Sequence, residues 1–169
     1  GGYCVGISQF YGITNGWAHL GFSVVTCGFA GLVIGYLALR TSGIYFIMIT
    51  LAFAQMLFFL FVSLEAYGGD DGMSIDRGEF GFIDLYDPLR LYFLIWCALA
   101  LVSLVLMFIV RSRFGVTLRA IKSNGSRVEA MGLSPLRFKM IGYVISAVIC
   151  GITGTLFANW QEYVSPDIM

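Results

Sequence analysis

The sequence predicts an all-α fold: a polytopic membrane helix bundle with about four full transmembrane helices and one short helix on a cytoplasmic loop. Three observations carry that reading. Hydrophobic residues make up 59% of the 169 and charged residues only 12%, with a mean hydropathy of +0.85; soluble domains are about 45–50% apolar. Four apolar stretches reach the roughly 20 residues that a helix needs to cross a hydrocarbon core. The loops between them alternate in sign, although the whole chain is formally neutral.

Residues 1–10 form a short apolar stretch, expected as the tail of an earlier span. The chain opens on Gly1 without a Met or a signal-peptide pattern and stops at Met169. With no soluble domain visible, residues 1–169 read as one transmembrane domain, a portion of a longer membrane protein. The first full span, 17–39, contains Gly31 and Gly35, a GxxxG pair that lets another helix approach closely. His19, the single histidine, falls near its outer end, where a lone His is structural or incidental. A tight turn at 40–43 carries Arg40, and the second span, 44–64, contains Thr50 and Gln55.

The loop at 65–90 holds seven acids against Arg77 and Arg90, a net of five negative charges. Its Gly-Gly-Asp-Asp-Gly-Met run (68–73) is not a calcium loop, because an EF-hand needs Glu at position twelve. That position is Gly81 counted from Asp70 and Phe82 counted from Asp71. The third span, 91–110, has thirteen Leu, Ile, Phe or Val residues and no charge. Those residues favour insertion by roughly 4–8 kcal/mol.

The fourth span, 140–160, has small residues every fourth position: Gly142, Ser146, Cys150, Gly154 and Ala158, with Ala147, Gly151 and Thr155 in a second row. Spacing of four places each row on one face. Static helix packing and a sliding or subunit interface are both consistent with it.

Between the third and fourth spans, residues 111–139 hold seven basic residues and one acid, a net of six positive charges. Short Lys/Arg-rich loops stay in the cytoplasm. The first span then runs inward, the second outward, the third inward again, and the fourth exits near Glu162. This cytoplasmic elbow carries helix signals of its own. Gly115 is placed to end the helix continuing past Val110. Residues 116–122 read as a short amphipathic helix, and Ser123-Asn124-Gly125 breaks it. Ser126 and Glu129 form a capping box for a helix of one to two turns, which Gly132 stops. Ser134-Pro135 then starts the helix into the fourth span. An ordinary interfacial connector and a docking element both fit these signals.

Several activities are disfavoured. The polar residues noted inside spans, Thr26, Thr50, Gln55, Ser103, Ser146 and Thr153, are not ionised. Ion-driven carriers keep titratable groups at membrane depth, so a self-contained one is disfavoured. Cys4, Cys27, Cys97 and Cys150 form no CxxC pair, which supports neither a metal nor a redox site. No GxxxxGKS/T loop exists, so this chain does not hydrolyse ATP itself.

Four runs, in order, resemble one family. LALRTSGIYFIMITLAFAQM (37–56), GGDDGM (68–73), RSRFGVTLRAIKSNGSRVEAMGL (111–133) and VSP (164–166) are similar to the M-type permease subunit of bacterial branched-chain amino-acid ABC importers. The resemblance implies a bacterial inner-membrane channel of two permease subunits, two ABC ATPase subunits and an extracytoplasmic substrate-binding protein. It makes the elbow helix a coupling helix, with Arg119, Arg127, Glu129, Ala130 and Gly132 as ATPase-coupling residues. Glu129, Ala130 and Gly132 fall in a loose EAA motif, compressed here to Glu-Ala-Met-Gly, and Ser123 to Ser126 is less acidic than in relatives. ATP and Mg would sit on the partner ATPases, with no cofactor on this chain and no nucleic acid as partner. Branched-chain amino acids are the default substrate; urea, amides and other amino acids occur in related systems. Thr50, Gln55 and Thr153 are the candidates for a translocation path. A secondary carrier or channel working without an ATPase, and a membrane scaffold whose elbow recruits a cytoplasmic protein, are the rival classes.

Overall fold

A computed structural model describes residues 1–12, 15–41, 43–63, 72–75 and 88–164. Seven helices and two short strands lie among them: α1 (Gly2–Phe10), α2 (Gly16–Ala38), α3 (Ile44–Val62), β1 (Met73–Ser74), α4 (Pro88–Arg111), α5 (Arg113–Ser123), α6 (Gly125–Ala130), α7 (Pro135–Gln161) and β2 (Tyr163–Val164). Helices α2, α3, α4 and α7 are long and apolar enough to cross a membrane, as the hydropathy predicts. The acids of the 65–90 loop lie outside the described residues.

The centre of the bundle is the antiparallel pair α2 and α7. Glycines set its closeness. A Cβ at Gly31 would lie 2.5 Å from Ala147 Cβ, and one at Gly35 would lie 2.7 Å from Tyr143 Cδ1. A Cβ at Gly151 would lie 2.8 Å from Cys27 Cβ. With no hydrophobic drive between helices in lipid, this backbone approach supplies the dispersion contacts that hold the pair. The row of α7 facing α2 is Ala147, Gly151 and Thr155. Ser146 and Cys150, from the neighbouring row, are exposed.

Helix α1 is short, nine residues, and lies against both α2 and α7. Tyr3, Cys4, Val5, Gly6 and Ser8 are buried. Tyr3 and Val5 join Ala158, Ile75 and Val164 in the main buried cluster, with Phe61 stacked on Tyr3 at 4.4 Å. Beside it, β1 and β2 pair antiparallel, Met73 with Val164 and Ser74 with Tyr163. Ile75 N–H adds a bond to Glu162 O at 2.9 Å. Glu162 has φ 56, the left-handed turn that ends α7.

Helix α3 has no buried residue, and the apolar window of α4 has none either. Large apolar side chains such as Phe29, Met48 and Phe108 are 63–70% exposed. In water that much contiguous apolar surface would drive association; against lipid tails it costs nothing.

Two local expectations are corrected. The third-span helix does not run to Gly115. It breaks at Ser112, whose hydroxyl donates to Ile109 O at 2.6 Å and whose ψ of 167 leaves the helical range. A Ser side chain competing for the backbone carbonyl diverts the chain first. Gly115 instead lies in the first turn of α5, pressed against the carbonyls of Val110 and Ile109. The second correction concerns the cap of α6. Asn124, not Ser126, is the N-cap: its Oδ1 accepts from Arg127 N–H at 3.2 Å. Ser126 Oγ donates to that same Oδ1 at 2.7 Å, which orients the cap. Asn is as good an N-cap as Ser and stands two residues earlier.

Candidate functional site

The elbow is built from α5, α6 and the first turns of α7. Six residues are too few to hold a helix in water unaided, so α6 depends on its ends and on one buried side chain. Asn124 closes the N-terminus. The C-terminus is a Schellman motif: Leu133 N–H reaches Val128 O at 3.3 Å and Gly132 N–H reaches Glu129 O at 2.9 Å. Gly132 has φ 82, the left-handed conformation this motif needs. Val128, 2% exposed, is the inward anchor. Arg127, Glu129 and Ala130 face out beside Met131, which is 69% exposed.

Three contacts tie α5, which carries α6, to the spans. Phe114 of α5 stacks on Phe138 of α7, with ring centroids 5.8 Å apart. Leu118 Cδ1 would lie 3.6 Å from a Cβ at Gly142. The Arg119 guanidinium donates to Val110 O at 3.1 Å, one of the carbonyls left open at the end of α4. A cation there also suits the negative end of the helix. Ile121, 6% exposed, completes the packing. All seven elbow cations are exposed. Of the five residues assigned to coupling, Arg127, Glu129, Ala130 and Gly132 therefore lie on α6 or its cap, and Arg119 sits behind them as a tether to α4.

The translocation candidates are not brought together. Thr50 Oγ1 donates to Phe46 O and Ile47 O, at 3.0 and 2.9 Å, within its own helix. Gln55 lines a shallow groove on α3 with Ala52, Met56, Phe59, Leu60 and Ser63. Thr153 bonds Ile149 O at 3.0 Å and lines the opposite cleft, between α4 and α7. Of the packing residues, Gly31 and Gly35 meet α7, Gly154 abuts Gly1 and Gly2, Gly142 faces Leu118, and Ser146 is exposed.

One feature escaped the sequence reading. His19, Ser23, Thr155 and Asn159 are at most 2% exposed, between α2 and α7. Ser23 Oγ and Thr155 Oγ1 both donate to Gly151 O, at 3.0 and 2.9 Å, and Asn159 Nδ2 donates to Thr155 O at 2.8 Å. His19 and Ser23 are four apart, as are Thr155 and Asn159, and both pairs continue the small-residue rows. That shared spacing was the signal available in sequence. Among the described residues no group of three His, Cys, Asp or Glu side chains could hold a metal, and all four thiols are free.

The sequence profile described as branched-chain amino acid transport system / permease component matches residues 1–169. The chain is 32% identical to the high-affinity branched-chain amino acid transport system permease protein LivM of Escherichia coli, over 95% of this chain and 44% of that protein. It is 31% identical to the protein of the same name from Salmonella typhimurium, with the same coverage. It thus spans under half the length of these relatives. No solved structure matches significantly. Family profile, four apolar spans and an elbow capped at both ends agree: the chain belongs to the family of branched-chain amino acid transport system permease components.

Proposed function

We propose that this chain serves in a permease subunit of an ATP-driven importer of the bacterial cytoplasmic membrane, moving branched-chain amino acids or a related small polar solute. Its partners are a second permease subunit, two ATPase subunits that hold the ATP and Mg, and an extracytoplasmic binding protein that selects the substrate. The observation that carries the reading is α6: a short helix fixed at both ends, exposed on one face, and carried by α5, which is tied to the ends of two membrane spans. An ATPase groove closing on α6 would move α5, α4 and α7 as one body, a rigid-element switch between outward and inward access.

Two measurements on the full-length protein test this. Affinity purification in mild detergent with mass spectrometry should recover a second permease and ATP-binding subunits. Ala130→Arg should leave membrane insertion intact and abolish ATP-driven uptake. Uptake that persists without any ATP-binding partner would replace the importer with a secondary carrier or channel.

A further inference from the structure

Helices α4 and α7 make few contacts with each other. Between them runs a cleft in two sections that share Val102 and Ile152. The section nearer the elbow encloses about 380 Å³ and is entirely apolar, lined among others by Leu101, Val105, Ile109, Val144, Ile145 and Val148. From Ile109 to Leu101 the wall rises about 12 Å, most of one half of a ~30 Å hydrocarbon core. Walls with no polar lining at all suit a hydrocarbon chain.

The mouth of this section is basic. Arg113 opens α5 just past the break at Ser112, and Arg137 lies seven residues before Val144, two turns down the same face of α7. The two arginines immediately precede Phe114 and Phe138, which stack on each other, so the backbones that carry them come together at the elbow end of α7. Both are exposed, and among the described residues neither guanidinium has a carboxylate partner. A narrow apolar slot with cations at its interfacial end is the chemistry of an anionic phospholipid, with tail in the slot and phosphate between the arginines.

We propose that the α4–α7 cleft seats an acyl chain of an anionic phospholipid whose phosphate is held by Arg113 and Arg137. The probe is native mass spectrometry of the full-length protein, equilibrated in nanodiscs of equal phosphatidylglycerol and phosphatidylcholine. Wild type should retain phosphatidylglycerol over phosphatidylcholine by at least about fivefold. R113Q/R137Q should lose that preference, and Arg40→Gln, a cytoplasmic-side cation in the turn after α2, should keep it. Val105→Trp, which fills the slot from an exposed position, should lose retained lipid of both kinds. Equal retention of the two lipids by wild type, or a preference unchanged in R113Q/R137Q, overturns the proposal without reference to how the variants fold. Efficient cross-linking of Val148→Cys to a cysteine in another transmembrane helix would place protein in the slot and overturn it as well.

Discussion

Single atoms decide most of what happens at α2–α7 and at α6. A Cβ added at Gly31 collides with Ala147, whereas Gly21 on the same helix has nothing within 4 Å. Gly31→Leu should therefore cost about 1–3 kcal/mol by overpacking, and Gly21→Leu should be near neutral. Thermal unfolding in detergent distinguishes them. Asn124→Ala removes the cap of α6 at about 1 kcal/mol. It should lower ATP-driven transport while leaving expression unchanged, and Asn124→Asp should restore it, as measured by uptake in proteoliposomes. The cap also shows where sequence runs out at this scale. Asn124 and Ser126 are both acceptable N-caps, and only the path of the chain decides between them. The buried run His19, Ser23, Thr155 and Asn159 was written in four-residue spacing, yet small polar side chains on apolar helices give a weak signal beside the glycines.

The spans were legible as elements because each is apolar on every side. The fourth begins at Pro135, where the Ser134-Pro135 start signal places it, ahead of the apolar stretch that opens at Met140. The break between α4 and α5 was not legible at single-residue precision. Ser112 and Gly115 both weaken a helix, and the nearer one, with a hydroxyl against Ile109 O, wins. The consequence is an Arg119 positioned to cover the exposed end of α4. Arg119→Ala should loosen α5 from α4 without disturbing α6. ATPase activity in the assembled complex should then persist while uptake per ATP falls, a separation that joint measurement of hydrolysis and transport reads directly. Arg119→Lys should restore part of the coupling, because one ammonium can donate to the same carbonyl.

For the whole molecule, charge sorting sets topology. In a full-length protein with its native cysteines replaced by Ser, Ser126→Cys should react with a membrane-impermeant maleimide in inside-out vesicles and stay unlabelled in right-side-out ones. The opposite pattern would turn the elbow outward and remove it from any cytoplasmic ATPase.

The ribbon of Met73–Ser74 with Tyr163–Val164 gives α7 a fixed pivot at its outer end, where the α1 cluster also grips it. Twenty-seven residues make α7 about 40 Å long. A helix shift of about 2 Å at the elbow, within the usual range for switching elements, would then tilt it by about 3°. Travel falls in proportion to distance from the pivot, so the Gly151 level, ten residues from Gln161, would move under 1 Å, by roughly two-fifths of the elbow's displacement. The polar seam sits nearest the pivot and would stay nearly still, while the elbow end of α7 would carry almost all of the travel.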